Sequence, residues 1–307
     1  MPSITSERTI TARTDDDARC GWCGAPVYPS GTALSVCAVC GAATTYPVPT
    51  DSELACAYLS YRPAEGRFPA GGDRLLAFFR ARLARRLDRI APPGPVLDVG
   101  SGDGSLLRAL RARGREAVGL ERAAGDDGVL ACDIGELDRA AQWAAVVFWH
   151  SLEHLPDPAS ALDRAAALLC PGGVLAIAMP NLDSWQARCL GERWLHLDLP
   201  RHLVHLPAGA LQTAVRDRGF EIERTSYWRG GQILFGWLHG MVGRMPCHPD
   251  LYSAIRRGEA QEAPVAGVRR MAVLLAGTAM APVAAALAVA EIVAHAGGTV
   301  YLEARRG

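Results

Sequence analysis

The sequence predicts an α/β domain, a doubly wound sheet of largely parallel strands, carrying a small cysteine-built module in front and an apolar helical insertion near its end. Three observations predict it. Apolar runs of strand length alternate with helical spacing from Asp73 onward. The first such strand, Val96-Leu97-Asp98-Val99, runs into Gly100-Ser101-Gly102-Asp103-Gly104 and then into the helical pattern Leu106-Leu107-Leu110. Two Cys-x-x-Cys-Gly knuckles stand at Cys20 to Gly24 and Cys37 to Gly41, separated by 13 residues.

Residues 1 to 18 are polar, include Asp15-Asp16-Asp17 and show no apolar period, so a disordered lead is expected there. Each knuckle at 19–45 turns tightly enough to aim two sulfurs at one point. Four thiolates, from Cys20, Cys23, Cys37 and Cys40, saturate a tetrahedral Zn2+ and leave no open position, so the expected zinc ribbon builds structure and activates no water. Cys56, Cys132, Cys170, Cys189 and Cys247 have no framework spacing and are expected to be small core residues. Residues 46–72 are rich in proline and glycine, with Tyr46, Tyr58 and Tyr61 among them, and read as a linker over the main domain.

Asp73 is a plausible N-cap for Leu75-Leu76-Phe78-Phe79-Leu83-Leu87-Ile90, a stripe expected to cover one sheet face until Pro92-Pro93-Gly94-Pro95 stops the helix. Further strands are expected at Ala117 to Glu121, Val129 to Ile134, Ala144 to His150, Gly172 to Asn181, Phe220 to Trp228 and Thr299 to Arg305, with a helix through Leu211 and Val215. The domain then comprises 73–228 and 298–307, interrupted by 229–297.

The glycine turn suits a cation better than a pyrophosphate. A G-x-G-x-x-G fingerprint wants Gly or Ala at 105, where Ser105 stands, and Asp103 would repel a dianion. S-adenosylmethionine, with a sulfonium and an ammonium against one carboxylate, is a net cation that Asp98 and Asp103 can face. Glu121 ends the second strand where a carboxylate for ribose hydroxyls belongs, and Asp133 can accept from an adenine amino group.

These residues resemble the class I S-adenosylmethionine-dependent methyltransferases, through Asp98 to Gly104, Glu121, Cys132-Asp133-Ile134, His150-Ser151-Leu152-Glu153-His154-Leu155-Pro156-Asp157-Pro158 and Pro171-Gly172-Gly173. The resemblance covers roughly residues 73 to 304 and implies a Rossmann-like seven-stranded sheet closed by a late strand. It implies donor contacts from Asp98, Gly100, Ser101, Gly102, Glu121, Asp133, Ile134, Trp149 and His150.

The fourth strand ends beside the methyl group in this fold, and His150 is the first polar side chain there. It reads either as a general base or as a wall of the donor pocket. Ubiquinone-type O-methyltransferases carry E-x-x-E-H at this point and are associated with a divalent cation that positions catechol oxygens; here His150 replaces the first carboxylate before Glu153 and His154. Beyond the fifth strand, Trp194 to Leu206 resembles a run in one subgroup of these enzymes. There Trp194, Arg201 and His205 are candidates to meet the acceptor, Arg201 as a clamp for a carboxylate or phosphate, and His202 or His205 is an alternative base.

Composition narrows the partners. The net charge is +0, from 32 basic and 32 acidic residues, so nothing points to nucleic acid. Every basic residue is arginine, which excludes Schiff-base and phosphate-loop lysine chemistry. No apolar signal core precedes residue 25, and a cytoplasmic protein is expected. The insertion includes Met271 to Ala290, 20 residues without a charge, which reads as helices packed on each other, on a second subunit or over an apolar acceptor, or as a peripheral membrane contact.

The expected function is S-adenosylmethionine-dependent methyl transfer to O, N or C of a small-molecule acceptor in biosynthesis, a specialised metabolite among the candidates. The alternatives are another reaction at the sulfonium, such as alkyl transfer or cyclisation, and a non-catalytic scaffold for a partner.

Overall fold

The computed structural model describes residues 18–28, 32–59, 70–122, 128–138, 140, 142–228, 231–256 and 267–307. The polar lead and Tyr61 lie outside the described residues, except Ala18, which is buried. Strands β1 (Leu34–Val36) and β2 (Ala43–Thr45) form an antiparallel hairpin between and beyond the knuckles. Helix α1 (Asp51–Leu59) occupies the stretch expected to be a linker. Its start is a reciprocal cap: the Thr50 amide donates to Glu53 Oε2 at 2.8 Å and the Glu53 amide to Thr50 Oγ1 at 3.3 Å.

Helix α2 (Ala70–Ile90) begins ahead of Asp73, which sits in its first turn. Leu83, Ala84 and Leu87 are buried, whereas Leu75, Leu76, Phe78 and Phe79 are exposed, so only the second half of the apolar stripe covers the sheet. The reason is length: Arg80 already stacks over Trp149, at the carboxyl end of a central strand, and the turns before it overhang that edge.

There follow β3 (Val96–Val99), α3 (Ser105–Arg111), β4 (Ala117–Glu121), β5 (Val129–Ala131), β6 (Trp143–Trp149), α4 (Pro158–Leu168), β7 (Leu169–Pro180), α5 (Trp185–Leu190), β8 (Val204–His205), α6 (Ala208–Asp217), β9 (Phe220–Ser226), α7 (Gly231–Gly243), α8 (Leu251–Ile255), α9 (Gly267–Val293) and β10 (Thr299–Arg306). The third strand of the sheet domain is thus shorter than expected, because Ile134–Glu136 turns into a 3-10 helix.

The sheet runs β5-β4-β3-β6-β7-β10-β9. Its first five members are parallel, and β10 is antiparallel to both β7 and β9. Chain order reverses between β3 and β6, and the carboxyl ends of those two strands therefore frame a crevice. Alternation along β6 feeds two cores: Val146 and Phe148 pack with α4 and α6 residues, Ala145 and Val147 with α2 and α3 residues. In the middle of β10, buried Glu303 accepts from Arg86 at 2.7 Å and from the Tyr301 hydroxyl at 2.8 Å, which pins α2 to the sheet.

The cysteine module is joined to this domain. Strand β2 pairs with β8, Ala43 opposite His205 and Thr44 opposite Val204, and Cys20, Trp22, Cys37 and Ala42 share one hydrophobic cluster with the sheet. None of the five remaining cysteines is buried, contrary to expectation: Cys56, Cys189 and Cys247 are exposed and Cys132 and Cys170 half-buried, because they fall on outward helix faces and at element ends.

Candidate functional site

The glycine-turn side of the crevice is built on backbone. Gly100, Gly102 and Gly104 all have positive φ, and a Cβ on Gly100 would stand 2.5 Å from that of Ser151, so the turn after β3 can press against the end of β6 only as glycine. Glu121, at the end of β4, reaches across to the turn, where its Oε2 accepts from the Gly102 amide at 2.8 Å. Asp133 caps the 3-10 turn, its amide bound to Glu136 Oε1 at 2.8 Å, and Ile134 is buried beneath. Trp149 ends β6 between Arg80, 4.8 Å from its ring, and Tyr301.

Asp98 is the most constrained carboxyl on this side. It is 2% exposed, its Oδ1 has no hydrogen-bond partner, and burial pushes its pKa up to about 7 despite the nearby Arg80 guanidinium. A buried acceptor with nothing to accept from carries a desolvation cost that an incoming ammonium or hydroxyl relieves. Ser101 Oγ, also buried, likewise lacks a partner. Burial raises Asp103 too, but the Ser105 hydroxyl and amide outweigh it and, with Arg80 and Arg108, hold its carboxyl below the usual range. Acidic groups around a glycine turn at the sheet's switch point fit a cationic nucleoside donor such as S-adenosylmethionine.

The opposite side, beyond the end of β6, is built from side chains. His150 follows β6 with φ of 54°, fixed by its amide to the Ala178 carbonyl at 2.7 Å. That backbone turns its ring toward Glu153, with Nδ1 3.3 Å from Oε1, and stacks it on His196 at 6.0 Å. Glu153 is fully buried, and burial lifts its pKa to about 7. The His202 ring lies at its other side, Nε2 4.0 Å from Glu153 and 3.6 Å from Asp198, while Nδ1 meets the His196 carbonyl at 2.8 Å. Burial holds His202 well below its ordinary pKa and brings His196 and His205 down to about 3 and about 4, so all three rings are neutral near pH 7.

The remaining expected residues have partners inside the protein. Arg201 binds Asp198 through Nε and NH2, the latter at 2.5 Å. His205 Nε2 lies 3.3 Å from Thr45 Oγ1, which donates to the His202 carbonyl at 2.5 Å. Trp194 is 3% exposed and packs with Ile233, Trp237, Ala284 and Ala288 of the insertion, not along an open pocket. The histidine–carboxylate set whose ligand atoms converge within 4.8 Å is Glu153, His154 and His202; His150 faces Glu153 from outside it.

Two connections made by elements outside the sheet are not foreseen from the sequence, although Tyr58 itself stands among the tyrosines that could line the donor cleft or pack under the ribbon. Tyr58 in α1 bonds His154 Nδ1 at 2.9 Å and lies under the Arg122 guanidinium, so the unexpected helix in the linker reaches the site. The Thr50-x-x-Glu53 cap is the available signal for it. In the insertion, Glu291 gathers the Gln186 amide and side chain and the Trp237 indole, each at 2.9 Å, locking α5, α7 and α9 together.

The ribbon sulfurs form a cage of the right size. Cys20 and Cys40 stand 3.7 Å apart, Cys23 and Cys37 3.6 Å, and all four lie within 4.8 Å of one another. A tetrahedral ion with ~2.3 Å sulfur bonds has edges of about 3.8 Å. Gly24 and Gly41 both take φ of 71°, closing each knuckle. Burial raises the Cys37 thiol, but amides of Cys40 and Val39 and the neighbouring thiols outweigh it and bring it to about 7.

An open α/β sheet of this strand order, with a carboxylate-lined glycine turn at its switch point, is a Rossmann-like arrangement of the kind the methyltransferase resemblance implies. Residues 73–225 match the family described as a methyltransferase domain. Among characterised relatives, a ubiquinone biosynthesis O-methyltransferase of Xylella fastidiosa is 32% identical over 139 residues, covering 38% of this chain and 56% of the relative. One of Leptothrix cholodnii is 28% identical over 148 residues, covering 42% and 60%. The chain therefore spans little more than half the length of the relatives it matches. Among solved structures, an S-adenosylmethionine-dependent methyltransferase from Archaeoglobus fulgidus aligns with TM-score 0.46 and 16% identity, over 75% of this chain and 93% of that one. The [4+2]-cyclase SpnF aligns with TM-score 0.45 and 21% identity, over 74% and 80%.

Proposed function

We propose that the protein transfers a methyl group from S-adenosylmethionine to a small-molecule acceptor, with His150 as the group that takes the acceptor's proton. The observation that carries this reading is the pairing, across one crevice, of the unpartnered buried Asp98 carboxyl on the glycine-turn side with the His150–Glu153 pair on the other. When bound, the donor supplies an electrophilic methyl on a positively charged sulfur.

The residues of the chain do the rest. Asp98 and Ser101 bind and orient the polar end of the donor, Glu121 the ribose hydroxyls, and Asp133 with Ile134 the adenine edge. Glu153, whose Oε1 stands 3.3 Å from His150 Nδ1 without a hydrogen bond, is assigned to favour the proton on Nδ1 by its charge, which directs the lone pair on Nε2 to the acceptor proton. His202 is assigned to support instead of proton transfer: its side chain is 7% exposed, against 19% for His150, and both its nitrogens face protein groups. The four-cysteine cage, with Zn2+ bound, holds β2 in place, and β2 in turn holds the segment from His202 to His205 through Thr45 and the β8 pairing.

The test has two arms. Calorimetry with S-adenosylhomocysteine should give a one-to-one site, and incubation of methyl-labelled donor with small-molecule extracts should yield a labelled product heavier by one methylene. Donor consumption with no label in any product would leave another reaction at the sulfonium; no donor binding would end the assignment.

A further inference from the structure

Helix α9 leaves more of its circumference uncovered than its composition tolerates in water. Its buried residues, Val273, Gly277, Ala284, Ala288 and Glu291, make one narrow stripe, with Val273 packed against α8 residues and Ala284 and Ala288 against α7. Outside that stripe Val268, Met271, Leu275, Val283, Val289 and Val293 are all more than half exposed. An 18-residue window of the helix has mean hydropathy 2.1 yet is only 22% buried, where a core helix would be mostly covered. No charge occurs between Arg270 and Glu291, and Glu291 points inward to Gln186 and Trp237. Thr278, the sole hydroxyl in that run, donates to the Leu274 carbonyl at 2.9 Å and needs no water. The result is an aliphatic face about 40 Å long, at ~1.5 Å per residue.

Charge at its edge selects the occupant. Arg244, Arg269 and Arg270 gather at the far end of the hairpin and bind the backbone carbonyls of Cys189, Cys247 and Ala254, keeping their positive charge uncompensated by carboxylates among the described residues. A smooth aliphatic helix without aromatic anchors but with a cationic end is poorly suited to a protein partner and well suited to anionic headgroups over acyl chains. A crossing does not fit the sheet: β10 pairs with β9, so a span by α9 needs a return leg, and α7 has 13 residues, about 20 Å, against a ~30 Å hydrocarbon core.

We infer that α9 lays the protein on an anionic lipid surface, in the plane of the interface. The α7–α9 hairpin packs on α5 and Trp194, which ties the docked helix to the segment that leads to His196 and His202. The inference goes beyond methyl transfer and stands or falls without it.

The test is flotation of the full chain with vesicles of phosphatidylcholine alone and of phosphatidylcholine with phosphatidylglycerol. Binding is expected chiefly to the anionic vesicles. Leu275→Glu, Val283→Glu and Val289→Glu combined, all on the exposed face, should cut it at least about tenfold with an unchanged melting temperature. Arg269→Gln with Arg270→Gln should weaken the anionic preference by about tenfold. Failure of the wild type to float with either vesicle overturns the inference, as does a triple variant that floats like the wild type. A wild-type dimer that the triple variant makes monomeric, with no vesicle binding, would overturn it in favour of a second copy on this face.

Discussion

The two walls of the crevice are made by opposite means. The donor wall, from β3 to the turn after β5, consists of contiguous motifs whose working parts are backbone amides, glycine φ angles and carboxylates with few protein partners. The acceptor wall packs His150, His196, His202, His205, Glu153 and Asp198 against one another and is held from outside by Thr45, Tyr58 and the insertion. A ligand common to many enzymes is met by local geometry, and a particular one by long-range assembly.

Removing the external support should have the largest effect. If the cage holds Zn2+ as proposed, the Cys37→Ser, Cys40→Ser pair forfeits binding worth about 10–16 kcal/mol in zinc-finger peptides, and because the cysteine module shares its core with the sheet the protein should move to the insoluble fraction, as read by soluble yield and zinc content. A soluble variant that still binds donor would show instead that the ribbon serves the acceptor wall alone.

His150→Ala should lower kcat by about 10²–10⁴-fold while the affinity for S-adenosylhomocysteine, measured by calorimetry, stays put. Equal losses in both would make His150 a donor contact. Glu121→Ala tests the other wall: loss of charged hydrogen bonds of about 1.5–3 kcal/mol each should raise the donor Kd roughly 10- to 100-fold, with kcat at saturating donor little changed.

Acidity separates the walls further. With Asp98 raised to about 7, the folded chain keeps a proton that the unfolded chain loses near pH 4. The carboxyl's contribution to stability therefore falls as pH rises through that window, and a cationic donor binds best once the proton is gone. Donor affinity should drop about tenfold from its plateau by pH 6, with proton release on binding, and Asp98→Asn should abolish the dependence. The smallest effect is expected of Thr45→Val, which removes two hydrogen bonds of about 1 kcal/mol each, to the His202 carbonyl and the His205 ring: a few-fold loss in kcat with donor affinity intact.

The same contrast decides what can be read in advance. The glycine turn, Glu121, the cysteine cage and most strands follow from spacing along the chain, since their geometry is local. Helix α1 is hidden by its flanking prolines, although Thr50 and Glu53 mark its start. The exposed half of α2 escapes because periodicity reports which face is apolar and not how far a helix outruns its sheet. Trp194, Arg201 and His205 look available to an acceptor in the sequence, yet Trp237, Asp198 and Thr45, each distant in sequence or hidden by context, occupy them.

The ribbon grips the acceptor segment chiefly through the ladder between β2 and β8. Main-chain pairing is indifferent to which side chains the gripped segment carries. The ladder at Val204 and His205 would therefore outlast an exchange of their side chains, whereas the buried Trp194, Leu203 and Leu206 hold by packing and mark the limits within which selectivity could be retuned.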